Sequence, residues 1–221
     1  VVCLDPRRTE AARAADLHLP ILPGTDVALF NAVLHWLSWE DAIDAAYINA
    51  HTEGFSELKS LVRECTPAWA ARICGVDEVQ IVAFAKLWQR SAATLSLYCQ
   101  GLNQSSSGTD KNAALINLHL ATGQIGKPGA GPFSLTGQPN AMGGREVGGL
   151  ANLLPGHRDV ADADHRAEIE ALWCLPAGRI SATSGKTAIE MFDAVKRGEI
   201  KLLWIACTNP AQSLPDLPSV A

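Results

Sequence analysis

An α/β fold of parallel strands separated by helices is what this 221-residue chain predicts. Three apolar runs, 1–4, 94–98 and 202–206, each lead straight into polar residues, as buried parallel strands do on reaching their carboxyl edge. The stretches between them carry apolar residues at helical spacing behind capping residues. Apolar residues make up 48% and charged residues 19%, a balance that suits a packed interior and argues against disorder.

The first run, VVCL, ends at Asp5 and is followed by the polar stretch DPRRTEAARAAD. In LHLPILPGTD, Pro20, Pro23 and Gly24 force a loop. Asp26 then caps a predicted helix through Trp36, with Val27, Phe30, Val33 and Leu34 on one face. Ser38 is predicted to cap a further helix over 39–50, and 55–64 reads as another. Thr66-Pro67 marks a helix start, because proline suits a first turn that needs no amide donor. Asp77 caps a longer helix to about Gln89, striped by Val79, Val82, Phe84 and Leu87. After the second strand, Thr109 or Asp110 opens a helix running to Thr122. Helices are also predicted over 162–173 and 188–197, the latter stopped by Gly198. No internal repeat and no low-complexity run is visible, and the chain is expected to divide near Gln138, into 1–137 and 138–221.

A net charge of −5 gives no electrostatic case for nucleic acid, which needs a basic face. A small anionic substrate would instead need locally focused positive charge. The six cysteines include no CxxC pair, so zinc and iron–sulfur spacings are absent. Most lie in apolar company, as reduced structural thiols of a cytoplasmic protein would. No apolar run approaches the ~20 residues of a membrane span, and no signal peptide precedes the first strand. Both ends look cut, so a piece of a larger enzyme is expected.

Chemistry is expected in two places. The segment 123–149 holds nine of the 18 glycines, interspersed with Gln138, Asn140 and Arg145. A flexible linker is one reading, but Phe133, Leu135, Met142 and Val147 fit a packed, ligand-facing loop better than a Gly/Ser linker. The second place is the set of strand ends: Asp5-Pro6-Arg7, then Cys99 to Gln104, then Cys207 to Pro210. In open α/β sheets that edge binds nucleotides, and amides and carboxylates there can pair with a purine, a ribose or a pterin. Familiar fingerprints are missing. Ser184-Gly185-Lys186-Thr187 lacks the earlier P-loop glycine, which falls on Ile180, and reads as a polar helix entrance. His119, inside a leucine-rich helix, reads as a packed or surface-polar residue and not as a metal ligand.

The run GKPGAGPFSLTGQPNAMGGREVGG resembles molybdopterin-dependent oxidoreductases, and most of all nitrate reductases of the cytoplasmic, assimilatory type. The resemblance spans nearly the whole chain and implies Rossmann-like parallel sheets flanked by helices, forming parts of two cofactor-binding domains. It implies a bis-molybdopterin guanine dinucleotide with molybdenum, and a 4Fe-4S cluster whose ligands, like the metal-ligating cysteine or selenocysteine, lie outside this fragment. The fragment alone would then be inactive. Through DPRRT and PGTD it implies guanosine contacts from Asp5, Arg7, Gly24, Thr25 and Asp26. Through QGLNQ it places Gln100, Gly101 and Gln104 close to the pterin. In LTGQPNAMGGREVGG, Gln138 would stand near the metal, with Thr136, Met142 and Arg145 on the catalytic side. CTNPAQS resembles the loop that holds the other dinucleotide, implying Asn209 and Ser213.

The activity implied is reduction of nitrate to nitrite, with electrons delivered by a donor protein or domain. Arg145 could instead pair with Glu146 or another acid, and Met142 could simply fill space. Formate dehydrogenases of the family typically carry arginine where this chain has Thr136, which favours nitrate. Two alternatives stay open: formate dehydrogenase or another molybdopterin enzyme, and a structural subunit that keeps the fold without the cofactor.

Overall fold

The computed structural model describes residues 1–214 and 218. The chain forms two compact units, Val1–Gly137 and Gln138–Ala221.

The first unit is a helical body carrying two short parallel strand pairs. Strand β1 (Val2–Leu4) and strand β2 (Leu17–Leu19) pair in parallel, Val2 opposite Leu17 and Leu4 opposite Leu19. Helix α1 (Glu10–Ala14) makes the crossover, its start capped by the Thr9 hydroxyl, which accepts from the Ala12 amide. The polar stretch DPRRTEAARAAD thus holds a helix, and LHL, expected at the start of a loop, is a strand. Parallel pairing requires such a crossover, and burial of Ala12 and Leu19 supplies the stabilisation that the local pattern did not signal.

Helix α2 (Asp26–Trp39) is the spine of this unit, burying Leu29, Phe30, Val33, Leu34 and Leu37. It runs through Ser38, which is buried and caps nothing; the apolar face continues to Leu37, and burial outweighs the capping preference. The next helix, α3 (Ala45–His51), is capped by Asp44, whose carboxylate accepts from the Tyr47 amide at 2.9 Å. Helix α4 (Phe55–Leu61) runs into a 3-10 turn at Val62–Glu64. Helix α5 (Pro67–Cys74) begins behind Thr66, whose hydroxyl accepts from the Trp69 amide, and stops at Gly75 in the left-handed region. Helix α6 (Glu78–Arg90) follows Asp77 and buries Ile81, Phe84, Ala85 and Trp88.

Strand β3 (Leu95–Tyr98) leads into the short helix α7 (Gln100–Asn103) and then helix α8 (Gly108–Ala121). Within the glycine-rich segment, strand β4 (Gly131–Ser134) pairs in parallel with β3, Leu97 opposite Phe133. Pro132 is tolerated because an edge strand leaves one side of its ladder unpaired. Helix α8 packs on α2 and on β4, which joins this sheet to the common core.

The second unit begins with helix α9 (Ala141–Glu146). Strands β5 (Leu153–Leu154) and β6 (Arg158–Asp159) form an antiparallel hairpin, followed by helix α10 (Ala163–Leu172) behind Asp162. Leu154, Val160 and Ile169 form a small core with Ile180 against it. The carboxylate of Glu170, itself buried, accepts from the amides of Gly178 at 2.9 Å and Ile180 at 2.7 Å, folding the next loop back onto α10. Those bonds hold the Glu170 carboxyl below the usual range. Helix α11 (Ala188–Lys196) starts at Thr187 in a reciprocal capping arrangement with Glu190. The segment 184–187 is therefore a helix entrance.

The run 202–206, expected as a strand, belongs to no sheet, and Leu202 and Trp204 are 87% and 89% exposed. A strand exists only through its ladder, and among the described residues no segment pairs with this one. Helix α12 (Pro210–Ser213) follows Asn209. No helix among the described residues is long and apolar enough to cross a membrane.

Candidate functional site

The carboxyl ends of β1 and β2 form the first candidate edge. Asp5 follows β1, and its carboxylate accepts from the Arg7 amide at 2.8 Å, with the Arg7 guanidinium 3.7 Å away. His18 of β2 bonds the Asp5 carbonyl at 2.8 Å, which fixes this turn to the neighbouring strand. Beyond β2, Gly24 lies at φ +85 and has open space where a side chain would stand. Thr25 turns its hydroxyl back to the Leu22 carbonyl at 2.6 Å and so does not cap α2. The first amides of that helix are left without a side-chain partner, and Asp26 stands in its first turn. Asp5, Arg7 and the turn of Gly24, Thr25 and Asp26 are thus on the same edge of one parallel pair. Beside them, burial first and Asp5 second push the Cys3 thiol up, while burial pushes up Cys74, whose sulfur reaches the Thr25 carbonyl at 3.6 Å.

The carboxyl ends of β3 and β4 form a second edge in the same unit. Leu135 donates to the Tyr98 carbonyl at 2.7 Å, carrying the ladder to the place where both strands end. Gln100, Gly101 and Gln104 follow one strand and Thr136 the other, so parallel pairing brings QGLNQ and LTG to a single edge. Asn103 ties them together: its amide donates to the Ser134 hydroxyl at 2.9 Å and its carbonyl accepts from Asn112 at 3.0 Å. Sequence reasoning passed over Asn103, although an amide beside Gln104 in QGLNQ was the available signal. Among the described residues the side chains of Gln100, Gln104 and Thr136 make no hydrogen bond, and all three are exposed. His119 lies behind this sheet, fully buried, with one ring nitrogen 2.9 Å from the Ser96 hydroxyl and its ring against Trp88. It is a packed core residue.

In the second unit, the Asn140 carbonyl oxygen accepts from the Gly143 amide at 3.1 Å and opens α9. Gly143 is required there, since a Cβ would fall 2.4 Å from the Asn140 amide nitrogen. Gln138 and Arg145 are exposed, and Met142 is 73% exposed and fills no core space. Among the described residues Arg145 makes no ion pair, with Glu146 or any other acid. Gly148, at φ +78, lets the chain after α9 pass so close to Leu154 that a Cβ would lie 2.7 Å from its carbonyl carbon. The β5–β6 hairpin turns through Pro155, Gly156 and His157, and this tip packs against α9. Asn209 and Ser213 are brought together at α12, the Ser213 hydroxyl donating to the Asn209 carbonyl at 3.1 Å.

These residues fit a large, polar, hydrogen-bonding ligand. Gly101, Gly137 and Gly144 have no positive φ, and nothing lies within 4 Å of where their Cβ atoms would be. No contact inside the described chain calls for glycine at these positions, whereas close approach of an outside group to the backbone does. The donor set matches: carboxylate and guanidinium at one edge, primary amides at the other, all turned from the core. Such groups pair with purine, ribose, phosphate or pterin edges.

The chain is similar to known proteins over its whole length. The family model described as molybdopterin oxidoreductase matches residues 1–221. A nitrate reductase of Synechocystis is 46% identical over 220 residues, covering 100% of this chain and 31% of that protein. A periplasmic nitrate reductase of Desulfovibrio desulfuricans is 43% identical, covering 100% of this chain and 30% of that protein. An F420-dependent formate dehydrogenase subunit alpha of Methanocaldococcus jannaschii is 39% identical, covering 100% of this chain and 32% of that protein. Among solved structures, the acetylene hydratase of Pelobacter acetylenicus superposes with a TM-score of 0.54 at 29% identity, covering 58% of this chain and 18% of that one. The chain thus spans about a third of the length of the curated relatives it matches.

Proposed function

The chain belongs to the molybdopterin oxidoreductase family, and from that premise we propose that it is the central part of a nitrate reductase that binds bis-molybdopterin guanine dinucleotide. The observation that carries this reading is the pair of parallel-strand edges whose carboxylate, guanidinium and amide groups face away from the core. Asp5, Arg7, Gly24, Thr25 and Asp26 would hold the guanosine of one dinucleotide. Gln100, Gly101 and Gln104 would hydrogen-bond a pterin, and Asn209 with Ser213 would hold the other dinucleotide. On this reading 1–137 and 138–221 each form part of a cofactor-binding domain.

When bound, the molybdenum centre supplies the two-electron redox chemistry. The chain's own residues bind and orient. Gln138 and Thr136 would face the metal side, Met142 would shape the substrate path, and Arg145, an exposed cation with no acid partner among the described residues, would hold the nitrate anion by charge-assisted hydrogen bonds. The metal ligand and the 4Fe-4S cluster would be held by other parts of the full-length protein, which takes its electrons from a donor protein or domain.

We place the enzyme in the cytoplasmic, assimilatory group, supported by six free cysteines, two of them exposed. Fractionation of cells producing the full-length protein tests that placement, and recovery in the periplasm would refute it. Formate dehydrogenase is the second reading, favoured by the Methanocaldococcus relative and opposed by Thr136.

The deciding experiment assays the molybdenum-loaded full-length protein with nitrate and with formate. Nitrate reduction is expected, and formate oxidation without nitrate reduction would overturn the reading. Arg145→Ala should lower catalytic efficiency on nitrate by about ten- to a hundredfold, the loss of one charge-assisted contact. Lysine keeps the charge without the bidentate fork and should rescue partly. Unchanged kinetics would remove Arg145 from the substrate path, and lost molybdenum would reassign it to the cofactor.

A further inference from the structure

We infer that His157 is a second anion-binding side chain, placed beside the helix that carries Arg145 to donate a hydrogen bond to a small planar oxyanion. The inference rests on the proposed reading insofar as α9 lines the substrate path. Four observations carry it.

His157 is a non-glycine residue at φ 59, directly after Gly156 at φ 68. Histidine enters the left-handed region at some cost, and such a residue persists only where its surroundings over-determine it. The surroundings do so here. The strands on either side are locked in register, Leu154 opposite Arg158, and Leu154 is buried in the small core. Arg158 donates to the Gly156 carbonyl at 2.8 Å and grips Glu168 of α10 by two bonds at 2.9 and 2.7 Å. The tip is therefore braced from both sides and mounted on the helix behind it.

The second observation is proximity. The braced tip packs against α9, whose start and composition are set by Asn140 and Gly143 and which bears Met142 and Arg145. The third is that nothing in the described chain uses the imidazole: it is exposed and makes no hydrogen bond or ion pair, whereas His165 nearby accepts from the Asp159 amide. The fourth is chemistry. A neutral imidazole offers one N–H, which complements the guanidinium fork on an oxyanion that has more acceptor sites than one arginine can fill. A rigid hairpin presenting one unpartnered donor is the mount such a site needs. Nitrate and formate share this acceptor chemistry, so the role survives a change of substrate between them.

The test uses full-length holoenzyme carrying His157→Asn or His157→Gly, both of which accept a positive φ and so separate the imidazole from the backbone. Three quantities are measured: molybdenum and pterin content, steady-state constants, and binding of the oxyanion to the oxidised, non-turning-over enzyme by titration calorimetry. Both variants are expected to raise KM and the dissociation constant about tenfold, with kcat and cofactor content within about twofold of wild type. Unchanged KM and dissociation constant in both variants would overturn the inference. So would loss of molybdenum and pterin with KM unaltered, which would place His157 on the cofactor. If the wild type oxidises formate and leaves nitrate untouched, the proposed function fails while His157 is still judged by the same constants for formate.

Discussion

Acid should loosen the first unit through His119. The imidazole is fully buried, bonded at 2.9 Å to the Ser96 hydroxyl through one nitrogen, with its other nitrogen unpartnered and Trp88 4.9 Å away centre to centre. No compensating charge accompanies it, and burial lowers its pKa from 6.5 to about 4. In the unfolded chain the same group takes a proton near 6.5. Between those values the unfolded state binds more protons than the folded one, so stability falls as pH falls through the window and levels off below about 4. A shift of that size amounts to about 3 kcal/mol, present in full above pH 6.5 and lost by about pH 4. His119→Gln keeps an amide able to reach Ser96 but does not titrate. Urea midpoints of the full-length protein, read by pulse proteolysis on peptides from 94–121, should fall more steeply with acid in wild type than in the variant. Comparing the two slopes removes the shared contribution of the carboxylates. Parallel slopes between pH 6.5 and 4 would show that the buried imidazole is not the titrating group.

Two contrasts test the glycine and strand-edge arguments. Gly123→Ala should destabilise the first unit by about 1–3 kcal/mol, because Gly123 has φ +61 and its Cβ would fall 2.6 Å from the Asp44 carboxylate; an unchanged melting temperature would contradict the strain. Gly101→Ala meets nothing within 4 Å and should leave melting unchanged while pterin content falls, whereas full pterin content would remove Gly101 from the binding edge. Asp5→Ala in the full-length enzyme should lower cofactor occupancy with the fold intact, and full occupancy with normal activity would exclude Asp5.

Elements governed by local chemistry were legible in the sequence. Thr66-Pro67 starts a helix because its hydroxyl and its ring both act within one turn, and Gly198 stops one for the same kind of reason. Elements governed by distant partners were not. Ser38 is a good cap in isolation, yet it is swallowed by a helix whose apolar face continues beneath it. Gly131 and Pro132 read as loop, yet they pair with β3 because the opposite strand offers its ladder. The run 202–206 has strand composition and no partner among the described residues, so composition alone left it outside any sheet. The candidate site divides along the same line. Polar strand ends such as Asp5 and Gln100 are visible as the place where an apolar run stops. Asn103 and His157 owe their interest to a contact across 31 residues and to a braced hairpin, neither of which a local window contains.

The close pass at Gly148 bears on how this enzyme could change. A single hydrogen atom, in place of a methyl group, sets the distance between the segment leaving α9 and the start of the hairpin turn. Any larger residue at 148 would move the two apart and alter everything mounted on either one. The neighbouring exposed positions Met142 and Arg145 carry no such burden, since among the described residues their side chains make no hydrogen bond or ion pair. On the proposed reading, substrate preference would therefore drift, or be redesigned, by exchanging those two side chains on an unaltered frame, whereas Gly148 is a place where a mutational path would have to stop.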